Sequence, residues 1–178
     1  MLAVRAGDVG QLARLFDRHH RALFQFFLHL TGNRAASEDM VQEAFYRVLK
    51  YRHTYQAESP FRVWLFQVGR NVYRDSAGRN RGEVPMPEGA AAAEIRGPGV
   101  LPDRQAQRNQ EAALLGRALA ALPPDKREVL VMSRYMELSH GEIASILKCE
   151  VGTVKVRVYR ALRELSERFF ALSGERAS

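Results

Sequence analysis

Near the C-terminal end of the chain, Thr153, Lys155, Arg157, Tyr159, Arg160 and Arg163 place four cations and two hydroxyls within eleven residues. Lysine and arginine hold backbone phosphates, and the flat fork of arginine matches the edge of guanine in a major groove. A threonine near a helix N-terminus can donate to a phosphate that the backbone amides already favour. This set suits a nucleic acid that is held and read. The same cations could instead form a solvated face paired with Glu164 and Glu167, and periodicity alone leaves both readings open.

Other chemistry finds less support. Cys149 is the only cysteine, which excludes a disulfide framework and a Cys-based zinc site within one chain. His19 and His20 are adjacent, hence on different helix faces, and no carboxylate cluster joins them to complete a metal site. His29 and His140 read as surface or cap-proximal groups. No phosphate-cradling loop or nucleophile elbow is present, so neither an enzyme nor a cofactor is expected.

The basic set needs a helix to present it. Val154, Val158, Leu162 and Leu165 form the inward stripe of a helix from about Val151 to Phe170, leaving the cations on its other faces. A three-residue turn, Lys148-Cys149-Glu150, precedes it. Before the turn, Ser139-His-Gly-Glu142 is a capping box that starts a helix with Ile143, Ile146 and Leu147 inward. Two helices across a tight turn make a helix-turn-helix. Upstream, Pro124 to Tyr135 is expected as a helix burying Val129, Leu130 and Met132. Another carries Leu114, Leu115, Ala118, Leu119 and Leu122 and stops at Pro123-Pro124.

The N-terminal half is helical as well. Leu12, Phe16, Leu23, Phe27 and Leu30 mark a first helix ended at Gly32. Asn33 caps a second, with Met40, Val41, Ala44, Phe45, Val48 and Leu49 inward. A loop over 51–59 leads to Ser59-Pro60, where a capping hydroxyl and a first-turn proline start a third helix carrying Phe61, Trp64, Leu65, Val68 and Val72. The stretch 79–107 holds four of the seven prolines and almost no large apolar residues, so it reads as a flexible linker, with a helical turn allowed at the alanine run 90–93. The fold class is therefore all-α, with two small helical domains, 1–78 and 108–178, joined by 79–107.

Composition fits this division. The chain has 178 residues, 27 Lys+Arg against 20 Asp+Glu, a net charge of +7 and 46% hydrophobic residues. The first domain carries a net +4, the linker 0 and the second domain +3, so the excess lies on the folded units and favours a polyanionic partner. No apolar run approaches the roughly 20 residues of a membrane span, and the N-terminus turns polar too soon for a secretory segment. A cytoplasmic protein without membrane insertion is expected.

The segment LPPDKREVLVMSRYMELSHGEIASILKCEVGTVKVRVYRALREL resembles the C-terminal promoter-binding domain of bacterial extracytoplasmic-function (ECF) sigma factors, with EIA followed by GTVK-x-R-x-x-RA as its pattern. GNRAASEDMVQEAFYRVLK is similar to the helix by which such factors bind the polymerase clamp coiled coil, and FRVWLFQVGRNVYRDSAGR to the helix that opens and reads the −10 element. The resemblance covers nearly the whole chain and implies a minimal two-domain sigma factor. Its implied partners are core RNA polymerase through clamp and flap, promoter DNA, and an anti-sigma factor able to hold it at the membrane.

The resemblance also implies roles. Asp39, Gln42 and Glu43, on one flank of the second helix, would meet polymerase. Arg62, Arg70, Asn71 and Arg74 leave the buried stripe of the third helix and would hold the −10 strands, with Asn71 able to read a base edge. In the preceding loop, which also holds Tyr51 and His53, Tyr55 would either stack on an unpaired base or anchor the loop against Phe61. At the −35 element, Arg160 suits base readout, Lys155 and Arg157 suit phosphates, and Thr153, Tyr159 and Arg163 complete the surface. Two positions depart from the family: Val156 stands where a serine is usual, and Glu150 occupies the capping position where a serine is common. Cys149 takes the place of an apolar turn residue and reads as a small packing group, with redox sensing as the alternative. A stand-alone helix-turn-helix regulator would explain residues 124–170 but not the N-terminal segments.

Overall fold

The computed structural model describes residues 1–79 and 102–174, and every regular element among them is helical. The elements are α1 (Leu2–Arg5), α2 (Gln11–Thr31), α3 (Arg34–Lys50), a 3-10 turn (Arg52–Thr54), α4 (Phe61–Arg79), α5 (Pro102–Ala120), α6 (Pro124–Leu130), α7 (His140–Leu147) and α8 (Val151–Ser173). α6 runs on into a π-helical turn, Val131–Tyr135. α5 begins inside the stretch assigned to the linker, and the alanine run 90–93 lies outside the described residues.

Local signals set most boundaries. Gly32 ends α2 in the left-handed conformation at φ 67°, a backbone state that costs a side chain energy but not glycine. Asn33 caps α3, its side chain accepting from the Ala36 amide at 2.9 Å. Buried Ser37 closes this corner by donating to the Asn33 carbonyl at 2.6 Å. The start of α4 differs by one residue from expectation. The Pro60 carbonyl accepts from the Trp64 amide at 3.3 Å, so Pro60 stands at the cap and not in the first turn. Proline tolerates this because its missing N–H would have no helical partner there.

Helices α2, α3 and α4 pack around Leu23, Phe26, Phe27, Val41, Ala44, Phe45, Leu65 and Phe66. Gly69 lies where α4 meets α2. A Cβ there would stand 2.9 Å from Leu23 Cδ1 and 3.4 Å from Phe27 Cζ, so the missing side chain permits the approach. Helices α5 to α8 form the second unit, with Leu119, Leu122, Leu130, Met132, Ile143, Ile146, Val154 and Val158 inside. Leu115, expected inward, is exposed.

The two units share one continuous core, which the sequence did not indicate. Val129, Leu130, Val131 and Met132 are all buried in succession, and a helix apolar on every side is one covered on every side. Here α8 covers one side and α2 another. Similarly, α4 packs on α2 and α3 with one face and on α7 with another. Val63 and Phe66 are buried although neither belongs to the expected stripe, and the Phe66 ring lies edge-on to Phe26 of α2 at 5.3 Å. Arg127 ties the units together: Nη1 donates to the Leu30 carbonyl at 2.8 Å, while Nε and Nη2 reach the Leu119 and Leu122 carbonyls at 3.1 Å each. One cation thus answers carbonyls at the C-terminal ends of both α2 and α5. His29, expected near the surface, is half-buried with its ring 3.9 Å from that of Tyr135 in the second unit.

Candidate nucleic-acid interface

The capping box at the start of α7 forms in full. Ser139 Oγ accepts from the Glu142 amide at 3.2 Å, and Glu142 Oε2 accepts from the Ser139 amide at 2.8 Å. The Ser139 hydroxyl also donates to Glu142 Oε2 at 2.8 Å, and these two donors, amide and hydroxyl, hold the Glu142 carboxyl below its ordinary pKa because both favour the ionised form. The turn to α8 passes through Lys148 at φ 52° and closes with the Cys149 amide donating to the Ala144 carbonyl at 3.1 Å. Cys149 is half-buried against the core, as a packing residue of such a helix end should be.

α8 then presents two faces of opposite character. Val154, Val158 and Ala161 point inward. Thr153, Lys155, Arg157, Tyr159 and Arg160 are exposed, with Tyr159 at 69%. The paired-face reading holds for only one cation of the set. Arg163 Nε meets Glu167 at 3.0 Å, while Glu164 is taken by Lys126 and Arg168. Among the described residues, Lys155, Arg157 and Arg160 have no carboxylate partner. Glu150 caps α8 without a side-chain capping bond, and its carboxylate stands at the edge of this basic face. Val156 lies in the middle of the face, 48% exposed.

α4 gives a different picture. Asn71 is exposed, but the three arginines expected beside it are engaged by the second unit. Arg62 donates to the Met136 carbonyl. Arg70 Nε donates to Glu128 Oε1 at 2.8 Å, with side chains only 13% and 5% exposed. Arg74 Nη2 meets Glu128 Oε2 at 3.3 Å and Asp125 Oδ1 at 3.6 Å. Tyr55 is buried: its hydroxyl donates to the Ser59 carbonyl at 2.9 Å and its ring lies edge-on to Trp64 at 5.4 Å. Arg5 of α1 donates to the Tyr55 carbonyl at 2.9 Å, pinning the same loop from outside. Tyr51 and His53 in that loop are exposed.

On α3, Asp39 and Gln42 are exposed and Glu43 half-exposed along one flank. Arg47 donates to Glu43 at 2.6 Å and to Asp75 of α4 at 2.5 Å, which fixes the Glu43 carboxylate on the surface. Tyr46 shares this flank at 58% exposure, beside Lys50 at 5.9 Å from its ring centroid. It was not singled out from the sequence. An aromatic three residues after Glu43 and four after Gln42 was the available signal, and exposed tyrosines of this kind often anchor protein interfaces.

Residues 15–83 match the family Sigma-70 region 2, and residues 112–165 match Sigma-70, region 4. Full-length relatives agree. ECF RNA polymerase sigma factor EcfG of Rhodopseudomonas palustris (strain TIE-1) is 34% identical over 82% of this chain and 77% of its own length. ECF RNA polymerase sigma factor SigL of Mycobacterium tuberculosis is 32% identical over 90% and 89%. The chain belongs to the ECF RNA polymerase sigma factors.

As a sigma factor the chain directs promoter-specific initiation by RNA polymerase. Solved structures of similar fold include the sigma factor RpoE of Bartonella quintana in complex with the anti-sigma factor NepR, at 25% identity and TM-score 0.69 over 88% of this chain and 94% of that one. CnrH in complex with the cytosolic domain of CnrY shares the fold at 24% identity and TM-score 0.68, over 94% and 93%. The region 2 match accounts for the half of this sigma factor that a stand-alone helix-turn-helix regulator leaves unexplained. Among the described residues no helix is long and apolar enough to cross a membrane.

Proposed function

We propose a division of labour within this sigma factor. Residues 1–78 bind the polymerase clamp and the −10 element, residues 108–178 bind the −35 element and the flap, and 79–107 join them. At the −35 element, Arg160 reads a base edge, Lys155 and Arg157 hold phosphates, and Thr153, Tyr159 and Arg163 flank them. At the −10 element, Arg62, Arg70 and Arg74 hold the strands and Asn71 reads a base edge, while Tyr55 anchors the loop that carries Tyr51 and His53 toward unpaired bases. Asp39, Gln42 and Glu43 meet the clamp, with Tyr46 beside them.

One observation carries this reading. Among the described residues, Lys155, Arg157 and Arg160 stand exposed without carboxylate partners on the second helix of a helix-turn-helix, the arrangement that a major groove accepts. The chain initiates transcription through polymerase and catalyses no reaction itself. Its place of work is the bacterial cytoplasm, in answer to a stress or signal. Related structures carry bound anti-sigma factors, which supports an inhibitor of this kind here, able to tether the sigma factor at the membrane. Reconstituted transcription with core polymerase tests the reading. Promoter-selective initiation on fragments of the chain's own genome is expected, and its absence on every fragment overturns it.

A further inference from the structure

The three arginines of α4 that would hold −10 phosphates are each bonded to an acceptor from the second unit. Arg62 takes the Met136 carbonyl, Arg70 and Arg74 share the two oxygens of Glu128, and Arg74 also meets Asp125. By contrast, Lys155, Arg157 and Arg160 of α8 and Asp39 and Gln42 of α3 stay exposed. Closure of the two units therefore covers one functional surface and leaves the other two open.

The acceptors have the chemistry of the ligand they displace. A carboxylate offers an arginine fork two anionic oxygens in one plane, as a phosphodiester does. We propose that the second unit is an internal competitor for DNA at α4, with Glu128 occupying the position of a −10 backbone phosphate, so that the free sigma factor must open before it engages the −10 element. The proposal rests on the reading of α4 as the −10 surface and adds the regulation of that surface.

Energetics suit a contact that has to be exchanged. Burying Glu128 and Arg70 costs both their hydration, and their mutual attraction repays much of that cost, so the pair adds little net stability while intact. Removing one partner is different, because it leaves an uncompensated charge in the closed interface. Glu128→Gln should thus favour the open form. Closure lowers apparent DNA affinity by the fraction of molecules that are open, so loss of closure raises affinity by the inverse of that fraction. Linkage requires the converse: DNA bound at α4 must open the chain.

The test uses the full chain without polymerase. The probe is a fluorescein-labelled single-stranded DNA of random sequence, about 12 nucleotides long, within the span of a single-strand site. Fluorescence anisotropy reads binding, small-angle X-ray scattering reads compactness, and circular dichroism checks folding. Glu128→Gln is expected to bind the probe about fivefold or more tightly and to expand. The gain should vanish when Arg70→Gln and Arg74→Gln are added. A folded Glu128→Gln with unchanged compactness and unchanged or weaker binding overturns the proposal, as does expansion without any gain in binding. Should Glu128→Gln not fold, the wild-type chain decides: expansion on saturation with the probe supports the proposal, and saturation without expansion overturns it. The underlying reading is tested separately in holoenzyme. If Arg70→Gln with Arg74→Gln leaves −10-dependent promoter opening intact there, the assignment of α4 to the −10 element is what fails.

Discussion

Arg160 and Lys155 lie on the same exposed face of α8, free of ion pairs among the described residues, yet their expected losses differ in kind. A guanidinium set against a base edge discriminates between bases, whereas an ammonium beside a phosphate attracts any sequence. Arg160→Ala in holoenzyme should cost about 1–3 kcal/mol on the preferred −35 element and relax the preference at one position. Lys155→Ala should weaken every sequence alike and lower the slope of log affinity against log salt by about 1. Binding to a panel of −35 variants at several salt concentrations separates the two. Uniform loss from both substitutions would show that Arg160 holds a phosphate as well. Arg163 is the internal comparison, since Glu167 already pairs with it and removing so exposed a pair should change stability little.

Among the elements, α8 and α4 each carry a position where sequence and geometry make opposite demands. Glu150 caps α8 without a side-chain capping bond. Glu150→Ser would supply a hydroxyl for a first-turn amide and remove a carboxylate from the basic face. The expected gain is roughly 0.5–1 kcal/mol in stability, read from urea unfolding, together with tighter −35 binding. Gly69 is the converse case, since alanine is the better helix former by about 1 kcal/mol but its Cβ would press on fully buried Leu23. Overpacking a dense core costs about 1–3 kcal/mol, so Gly69→Ala should lower stability while Gly78→Ala, with open space around it, should not. Features settled by neighbours in the chain were legible in advance: the Gly32 stop, the Asn33 cap, the Ser139–Glu142 box and the exposed face of α8. Features settled by distant partners were not. Val131 is buried where α2 of the other unit packs on the turn that carries it, and no periodicity within its own helix records that cover. The same holds for Arg70, whose step off the apolar stripe suggested solvent or DNA and not a carboxylate 58 residues away.

At the scale of the whole molecule, the seam between the units also carries a titratable ring. His29 Nδ1 lies 2.7 Å from the Gln25 carbonyl, which fixes the ring on α2, and its face meets Tyr135 across the seam. Burial lowers the His29 pKa, outweighing the bond to Gln25 that raises it. His19, beside Phe61 at the start of α4, is also lowered, first by burial and then by Arg18 and Arg62. The sign follows from proton binding. An unfolded histidine takes up its proton near pH 6.5, while the folded one resists, so the unfolded state binds more protons as pH falls through that range. Stability should therefore be level above about pH 7.5, decline as pH drops below about 6.5, and level off again only below the depressed folded values. Carboxylates such as Glu142, whose folded pKa is also lowered, move stability in the same direction but in a lower window, losing their contribution as pH falls below about 4.5. Urea midpoints at about pH 7.5, 6.5 and 5.5 isolate the histidine window. His29→Phe keeps an aromatic ring against Tyr135 and should shrink the decline, and adding His19→Phe should shrink it further. Because His29 touches the second unit, its protonation should loosen closure along with the fold. The wild-type chain should expand in X-ray scattering between about pH 7.5 and 5.5, at pH values where it remains helical. His29→Phe should stay compact over the same range, and equal expansion of both chains would place the pH response elsewhere in the molecule.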